Sequence, residues 1–193
     1  DHCGDTSERV AAPRRPQRSP RRASQRSCCR ALPPPAPANK RVLALSKVYG
    51  LLEPGPVVLL STAHRGASNV MAMSWHTMLD FEPPLVGCVV SAGDFSFAAL
   101  SATRECVLNI PTRALARQVV GCGNTTGARV DKFARFGLTR EPARRVGAPL
   151  IAECYANLEC RVVDTRMKKR YNFFVLQVVQ AWIDPRNKSQ RTL

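Results

Sequence analysis

The chain contains no C-x-x-C pair, only three histidines, no secretory hydrophobic region and no run near the ~18 consecutive apolar residues of a membrane span. Each absence removes a class of function. Without C-x-x-C spacing a zinc site has no ligand pattern to build on. The histidines are His2, His64 and His76. His64 falls in a turn-like stretch, and Ser74-Trp75-His76 are successive strand residues that point to opposite faces, so no hydrolytic triad is supported. Asp80 and Glu82 read as loop residues and do not form a carboxylate pair for acid–base work. Neither a metal nor a membrane partner is expected. Acidic residues are also scarce, 14 against 29 Lys and Arg, giving a formal charge of +15.

Much of that excess sits at one end. Residues 1–41 hold ten Lys and Arg, three acids and seven of the fifteen prolines. Large apolar side chains are almost missing there, so this segment cannot offset its ordering entropy and is expected to be a disordered basic Pro/Arg-rich tail. A nucleic-acid arm and an organelle transit peptide are the two specific readings. The tail has no aromatic side chains for base stacking, and its prolines oppose an amphipathic helix. A solvated leader is the more economical reading, and nucleic acid is not expected as a partner. Residues 42–193 are long enough to bury a core. Eight cysteines are scattered through the chain, and those beyond the tail lie in apolar runs. They read as packing residues in a reducing, cytoplasmic setting.

From Pro56 onward, aliphatic and β-branched runs dominate. PVVLLSTA, NVMAMSW (Asn69 to Trp75), LVGCVVS (Leu85 to Ser91) and CVLNI (Cys106 to Ile110) are strand candidates. Asp94 or Ser96 is placed to cap a short helix through Thr103. A second helix follows Pro111-Thr112, with Leu115, Val119 and Val120 as its apolar stripe and Gly121 and Gly123 at its end. Asp131 caps a further turn in which Phe133 and Phe136 share a face. From Ala156, Leu158, Cys160 and Val162 alternate with Asn157, Glu159 and Arg161, the period of a half-buried strand. After the basic turn Arg166 to Arg170, YNFFVLQVVQAWI (Tyr171 to Ile183) is apolar on both faces, as in a barrel wall or a dimer seam. There is no regular βαβ alternation. The fold class is mainly β with short helices, in a small antiparallel barrel.

GCGNTTG, Gly121 to Gly127, has the spacing G-x-G-x-x-x-G, follows a helix and lacks a closing Lys-Ser/Thr, so it is neither a dinucleotide fingerprint nor a Walker loop. It reads as a helix end plus loop whose glycines would allow close backbone approach to a ligand. The other dense cluster is Ser68-Asn69-Val70-Met71-Ala72-Met73-Ser74-Trp75-His76. Met71 and Met73 fit either a core or a binding surface. An amide, a hydroxyl and an indole around them suit a flat heteroaromatic ligand with polar edges.

The stretches from Pro56 to Thr112, GCGNTTGARVDKF, PLIAECYANLECRVVD and YNFFVLQVVQAWIDP together resemble the flavoredoxin-like branch of the flavin reductase-like, FMN-binding split-barrel family. The resemblance covers about Val48 to Pro185. It implies an antiparallel split β-barrel acting as a homodimer, with FMN near the subunit seam. Asn69, Met71, Met73, Ser74 and Trp75 of the N-x-M-x-M-S-W stretch are then expected at the flavin, with Ser91 and the hydroxyl of Ser96. Lys132 of the D-K-F motif is expected near phosphate or ring, and Tyr171-Asn172 at a further contact. The family commonly continues past Leu193 with a His- and Gly-rich segment, so a cap over the flavin is expected to be absent from this sequence. The implied activity is an NAD(P)H-dependent oxidoreductase, with NADH or NADPH as donor and a flavin or another acceptor. An FMN-binding sensor or store without turnover is the alternative. Such chemistry needs no acid, base or nucleophile from the protein, because the cofactor carries it.

Overall fold

Leu59 and Leu60 are neighbours on one strand, yet both are 0% exposed. Adjacent strand residues face opposite ways, so that strand is covered on both sides. The computed structural model describes residues 55–185. The basic tail expected over residues 1–41 lies outside them, as do residues 186–193.

Seven antiparallel strands form the main sheet: β1 (Val58–His64), β2 (Ala67–Met73), β3 (His76–Phe81), β4 (Pro84–Val89), β5 (Glu105–Ile110), β8 (Ala156–Asp164) and β9 (Phe173–Ile183). Their order is β2-β1-β5-β8-β9-β4-β3. A two-stranded hairpin, β6 (Arg140–Glu141) and β7 (Leu150–Ile151), stands apart. The helices are α1 (Phe95–Thr103), α2 (Ala116–Gly123, entered through a 3-10 turn at Arg113–Leu115), α3 (Lys132–Phe136) and α4 (Lys168–Tyr171).

The two edge strands, β2 and β3, are not paired with each other, but only Ser74 and Trp75 separate them in sequence. So short a link forces the sheet to curl until its edges approach at that end. The result is a mainly β, antiparallel barrel that stays split between β2 and β3. Its interior is filled by Val58 and Leu60 of β1, Cys88 of β4, Cys106 and Leu108 of β5, Cys160 of β8 and Phe174 and Leu176 of β9, with Leu100 of α1. The outer face of β1 and β2 is covered by α2 and α3 through Leu59, Val70, Leu115, Val119, Cys122 and Phe133. This double covering is why PVVLLSTA is apolar on both faces.

Several expectations shift by a turn or a face. The helix stripe is Leu115, Val119 and Cys122, one position every three or four residues; Val120 lies a quarter-turn away and is 61% exposed. The strand expected from Asn69 to Trp75 runs instead from Ala67 to Met73, and β3 follows it. That strand is hidden in the sequence because an outer edge strand, nearly all exposed, has no buried face to impose alternation. Asp80 belongs to β3 and is not in a loop. β9 is an interior strand, with Phe174 and Leu176 buried, while Ala181, Trp182 and Ile183 emerge into solvent. All five described cysteines are free and buried, as packing residues should be. Burial pushes the thiols of Cys88 and Cys154 up to about 12, which keeps them protonated and inert.

Two buried polar groups tie the β6–β7 excursion to the sheet. Asn109 donates to the Leu59 carbonyl at 2.9 Å and accepts from the Ile151 N–H at 3.0 Å and from Asn157 Nδ2 at 2.7 Å. Glu159, 0% exposed, accepts from the Arg144 and Arg145 N–H groups and from Trp182 Nε1 at 2.7 Å. Burial alone would raise its pKa, but the donors together hold the carboxyl below its ordinary value. Glu159→Gln keeps the volume but turns one acceptor into a donor. It should destabilise the protein by ~1.5–3 kcal/mol near neutral pH, the range for hydrogen bonds to a charged group. A group with a depressed folded pKa stabilises above its unfolded value and loses that contribution as pH falls through the folded pKa. Thermal melts of the two proteins should therefore converge as pH drops below ~4.3, the unfolded glutamate value; a constant gap would refute this role.

Candidate functional site

Two adjoining basins lie along the edge strand β2. The first, about 330 Å³, is walled by Asn69 and Met71 of β2, the Gly93–Ser96 entry to α1, the loop from Gly123 to Gly127, and Lys132. The second, about 300 Å³, is walled by Met73, Ser74 and Trp75 together with Val89 and Ser91. Met71, Ala72 and Asp94 line both. Together they fall in the size range of small-molecule and cofactor sites.

Each wall has a local reason for its place. Asn69 is buried, and its Nδ2 donates to Ser96 Oγ at 2.8 Å, fastening β2 to the first turn of α1. Asp94 stands at the N-cap of α1 but makes no side-chain cap bond; its carboxylate accepts from the Ser91 N–H at 3.1 Å and borders both basins. Gly127 lies against Asn69 so closely that a Cβ would overlap the carboxamide oxygen. The glycines of GCGNTTG thus serve close packing and a loop at the cavity wall. The N–H groups of Thr125, Thr126 and Gly127 in that loop meet no acceptor among the described residues. Asp131 caps α3 through the N–H groups of Phe133 and Ala134, which points Lys132 inward.

Lys132 is the most unusual group of the site. It is 5% exposed. Its Nζ donates to the Cys122 carbonyl at 2.8 Å, near the end of α2, and it makes no ion pair with a described carboxylate. Burial pushes its pKa below the usual 10.5, and Cys122 and Asp94 offset only part of that. A buried ammonium with one carbonyl partner, on the same cavity as unpartnered N–H groups, is chemistry that suits an anion, with the Asp94 carboxylate as the one opposing charge on that lining. The neighbouring Cys122 thiol is raised to about 11 by burial, so it adds no competing charge.

Of the residues singled out in the sequence, Asn69, Met71, Ser96 and Lys132 meet in the first basin, and Met73, Ser74, Trp75 and Ser91 in the second, with Met71 shared. Met73 is buried in the barrel wall, whereas Trp75 is 53% exposed at the lip. Tyr171 and Asn172 line neither basin. Tyr171 is exposed, and the Asn172 carbonyl accepts from the Val90 N–H at 3.1 Å, one residue from Ser91. The sequence reading missed Asp94 as a wall residue because an aspartate before a helix reads first as a cap. His76 approaches the Pro56 carbonyl at 2.7 Å and takes no part in a triad. Among the described residues no group of His, Cys, Asp and Glu could hold a metal ion, and no helix is long and apolar enough to cross a membrane.

Comparison with known proteins places this geometry. Residues 51–193 match the flavin reductase like domain. An uncharacterised protein of Pyrococcus abyssi is 33% identical over 131 residues, covering 68% of this chain and 75% of that protein. Among solved structures, an FMN-binding domain of a flavin reductases-like enzyme from Shewanella baltica aligns with a TM-score of 0.66 and 28% identity, covering 77% of this chain and 78% of that one. A flavoredoxin from Methanosarcina acetivorans aligns with a TM-score of 0.64 and 27% identity, covering 77% of each chain. With the matched region spanning the whole barrel and both basins, this chain belongs to the flavin reductase-like family.

Proposed function

We propose that this chain is an FMN-binding oxidoreductase that passes electrons from NADH or NADPH to a flavin or another acceptor. The observation that carries the reading is the buried Lys132, without an ion pair to a described carboxylate, on the same cavity as a loop of unpartnered N–H groups, beside a slot bordered by an exposed tryptophan. An aromatic ring bearing a phosphate fits that pair of basins. Lys132, Ser96 and the N–H groups of Thr125 to Gly127 would hold the phosphate. Met71, Met73 and Trp75 would border the ring. FMN, when bound, supplies the hydride chemistry itself. The chain's own work is to fix the ring, neutralise the phosphate and leave one face open to a second reactant. The likeness to the Shewanella FMN-binding domain supports this.

A second copy of this chain is the partner the surface favours. β3 is an outer edge strand carrying Met78, Leu79 and Phe81, of which Phe81 is 87% exposed, and it leads directly from Trp75. An apolar edge with unpaired backbone groups invites pairing.

The first test is the colour of the purified protein and its response to reduced nicotinamide without oxygen. An oxidoreductase should be yellow and bleach rapidly; a flavin store should be yellow and stay so. Lys132→Ala removes a charge-assisted contact of ~1.5–3 kcal/mol, so FMN affinity should fall ~10- to 150-fold while riboflavin affinity changes far less. The low pKa of Lys132 adds a pH signature. FMN affinity should start to fall at a pH below the usual lysine range, as the free protein loses the ammonium proton, with no such fall for riboflavin in the same titrations. Equal losses for both ligands would refute the phosphate assignment.

Because Trp75 is exposed, Trp75→Ala should leave the flavin-free protein within ~0.5 kcal/mol of wild type. Loss of an aromatic contact worth ~0.5–1.5 kcal/mol should weaken FMN ~2- to 10-fold. A large drop in the flavin-free melting temperature would instead assign Trp75 to the core.

Sedimentation of the flavin-loaded protein at micromolar concentration should show a dimer, and Phe81→Asp should shift it toward monomer. A wild-type monomer would refute the pairing.

A further inference from the structure

The β8–β9 turn carries four cations in five residues, Arg166 to Arg170, and the site described above uses none of them. Arg166 is paired with Asp164 at 2.6 Å. Lys168, Lys169 and Arg170 make no ion pair with a described carboxylate. Two of these side chains are held by rings: Lys168 Nζ lies 5.9 Å from the centre of Phe97, and the Arg170 guanidinium 5.2 Å from the centre of Tyr171. Three unpaired cations on a short turn repel one another, and they are most stable together beside an anion.

No residue of the turn lines either basin, but the chain just after it is tied to the second. Asn172 takes a left-handed backbone conformation (φ 55°) that ends α4 and returns the chain to β9. Its carbonyl accepts from Val90, whose neighbour Ser91 lines the second basin. Phe97, under Lys168, follows Ser96 on α1, whose first turn walls the first basin. The cation-bearing turn is thus fastened to residues next to Ser91 and Ser96, and the second basin's own lining, with Met73, Trp75 and Asp94, holds no cation.

We propose that Lys168, Lys169 and Arg170 bind the pyrophosphate of the reduced nicotinamide dinucleotide that reacts in the second basin. The inference rests on the functional reading above and adds the seat of the donor. A dinucleotide that places its nicotinamide between Trp75 and Ser91 must carry its charged half out across the rim. Trp75 and Met73 offer that half nothing, and the Asp94 carboxylate repels it. The backbone next to Ser91 is tied to the turn whose three cations make no ion pair with a described carboxylate. Lys132 lies in the other basin, with the phosphate of the flavin as its natural partner, so the two anionic groups are held by separate cations. The dinucleotide is oxidised by two electrons as its hydride passes to FMN, and the pyrophosphate contacts persist unchanged through that step.

The test is anaerobic reduction of the FMN-loaded protein by NADH and by NADPH across a range of dinucleotide concentrations. It compares wild type, K168A/K169A/R170A and K169E/R170E; the last keeps Lys168 over Phe97. Expected is a ~10- to 100-fold rise in the half-saturating dinucleotide concentration, with the limiting rate, FMN affinity and melting temperature unchanged. That concentration should climb with salt in the wild type and respond much less in the variants. An unchanged half-saturating concentration in both variants would overturn the proposal, while leaving the oxidoreductase reading intact. FMN affinity falling as far as dinucleotide affinity would also overturn it, assigning the turn to the flavin. A wild-type protein that binds FMN but is bleached by neither nucleotide would overturn both readings together.

Discussion

The two-residue link between β2 and β3 is the constraint on which the rest of the molecule depends. Both strands are sheet edges, and Ser74-Trp75 is too short to let those edges part at that end. A seven-stranded antiparallel sheet with its ends so joined must curl around its own side chains. Cys88, Cys106 and Cys160 fit that interior because a thiol is small and apolar, and burial keeps Cys88 protonated. The candidate site lies along the edge strand β2. Residues whose side chains alternate along β2 supply it: Asn69, Met71 and Met73 in step, with Trp75 beyond the strand's end.

Burial accounts for most of the site's chemistry. A lysine in water would be an ordinary cation. Lys132 is held out of water by α2, α3 and β2, and its helix-end carbonyl partner satisfies one proton without neutralising the charge. Such a group costs stability in the empty protein and would regain it beside an anion, so the anion binding proposed above and a weakened empty fold would share one cause. Glu159 is the opposite case. It too is buried, but it is fully met by backbone and indole donors, and it stabilises one excursion of the chain without facing any cavity. The contrast separates a structural charge from a receptive one.

The sequence determined a good deal by itself. Its local patterns pointed to a mainly β chain with short helices, the cap at Asp131 and the packing role of the cysteines, because these depend on neighbours one to four residues away. The N-x-M-x-M-S-W stretch left core and binding surface open at Met71 and Met73, and its expected place at a flavin came from the resemblance alone. β3 was not legible, since an exposed edge strand buries neither face and leaves no alternation to read. The stripe of α2 was misplaced at Val120 because two adjacent valines satisfy the helical period almost equally until a partner surface chooses between them.

Only the tertiary structure could decide whether Met71 and Met73 were core or cavity, that Trp75 is a lip and not a filler, and that Asp94 forgoes capping to border both basins. It also decided that Lys132, about sixty residues from Asn69 in the chain, shares a cavity with it. Those facts depend on which surfaces meet when the sheet closes. Closure is a property of seven strands acting together, so no window of neighbouring residues contains it. What the sequence sets is each strand's two faces; what the closed barrel sets is which of those faces has something to bind.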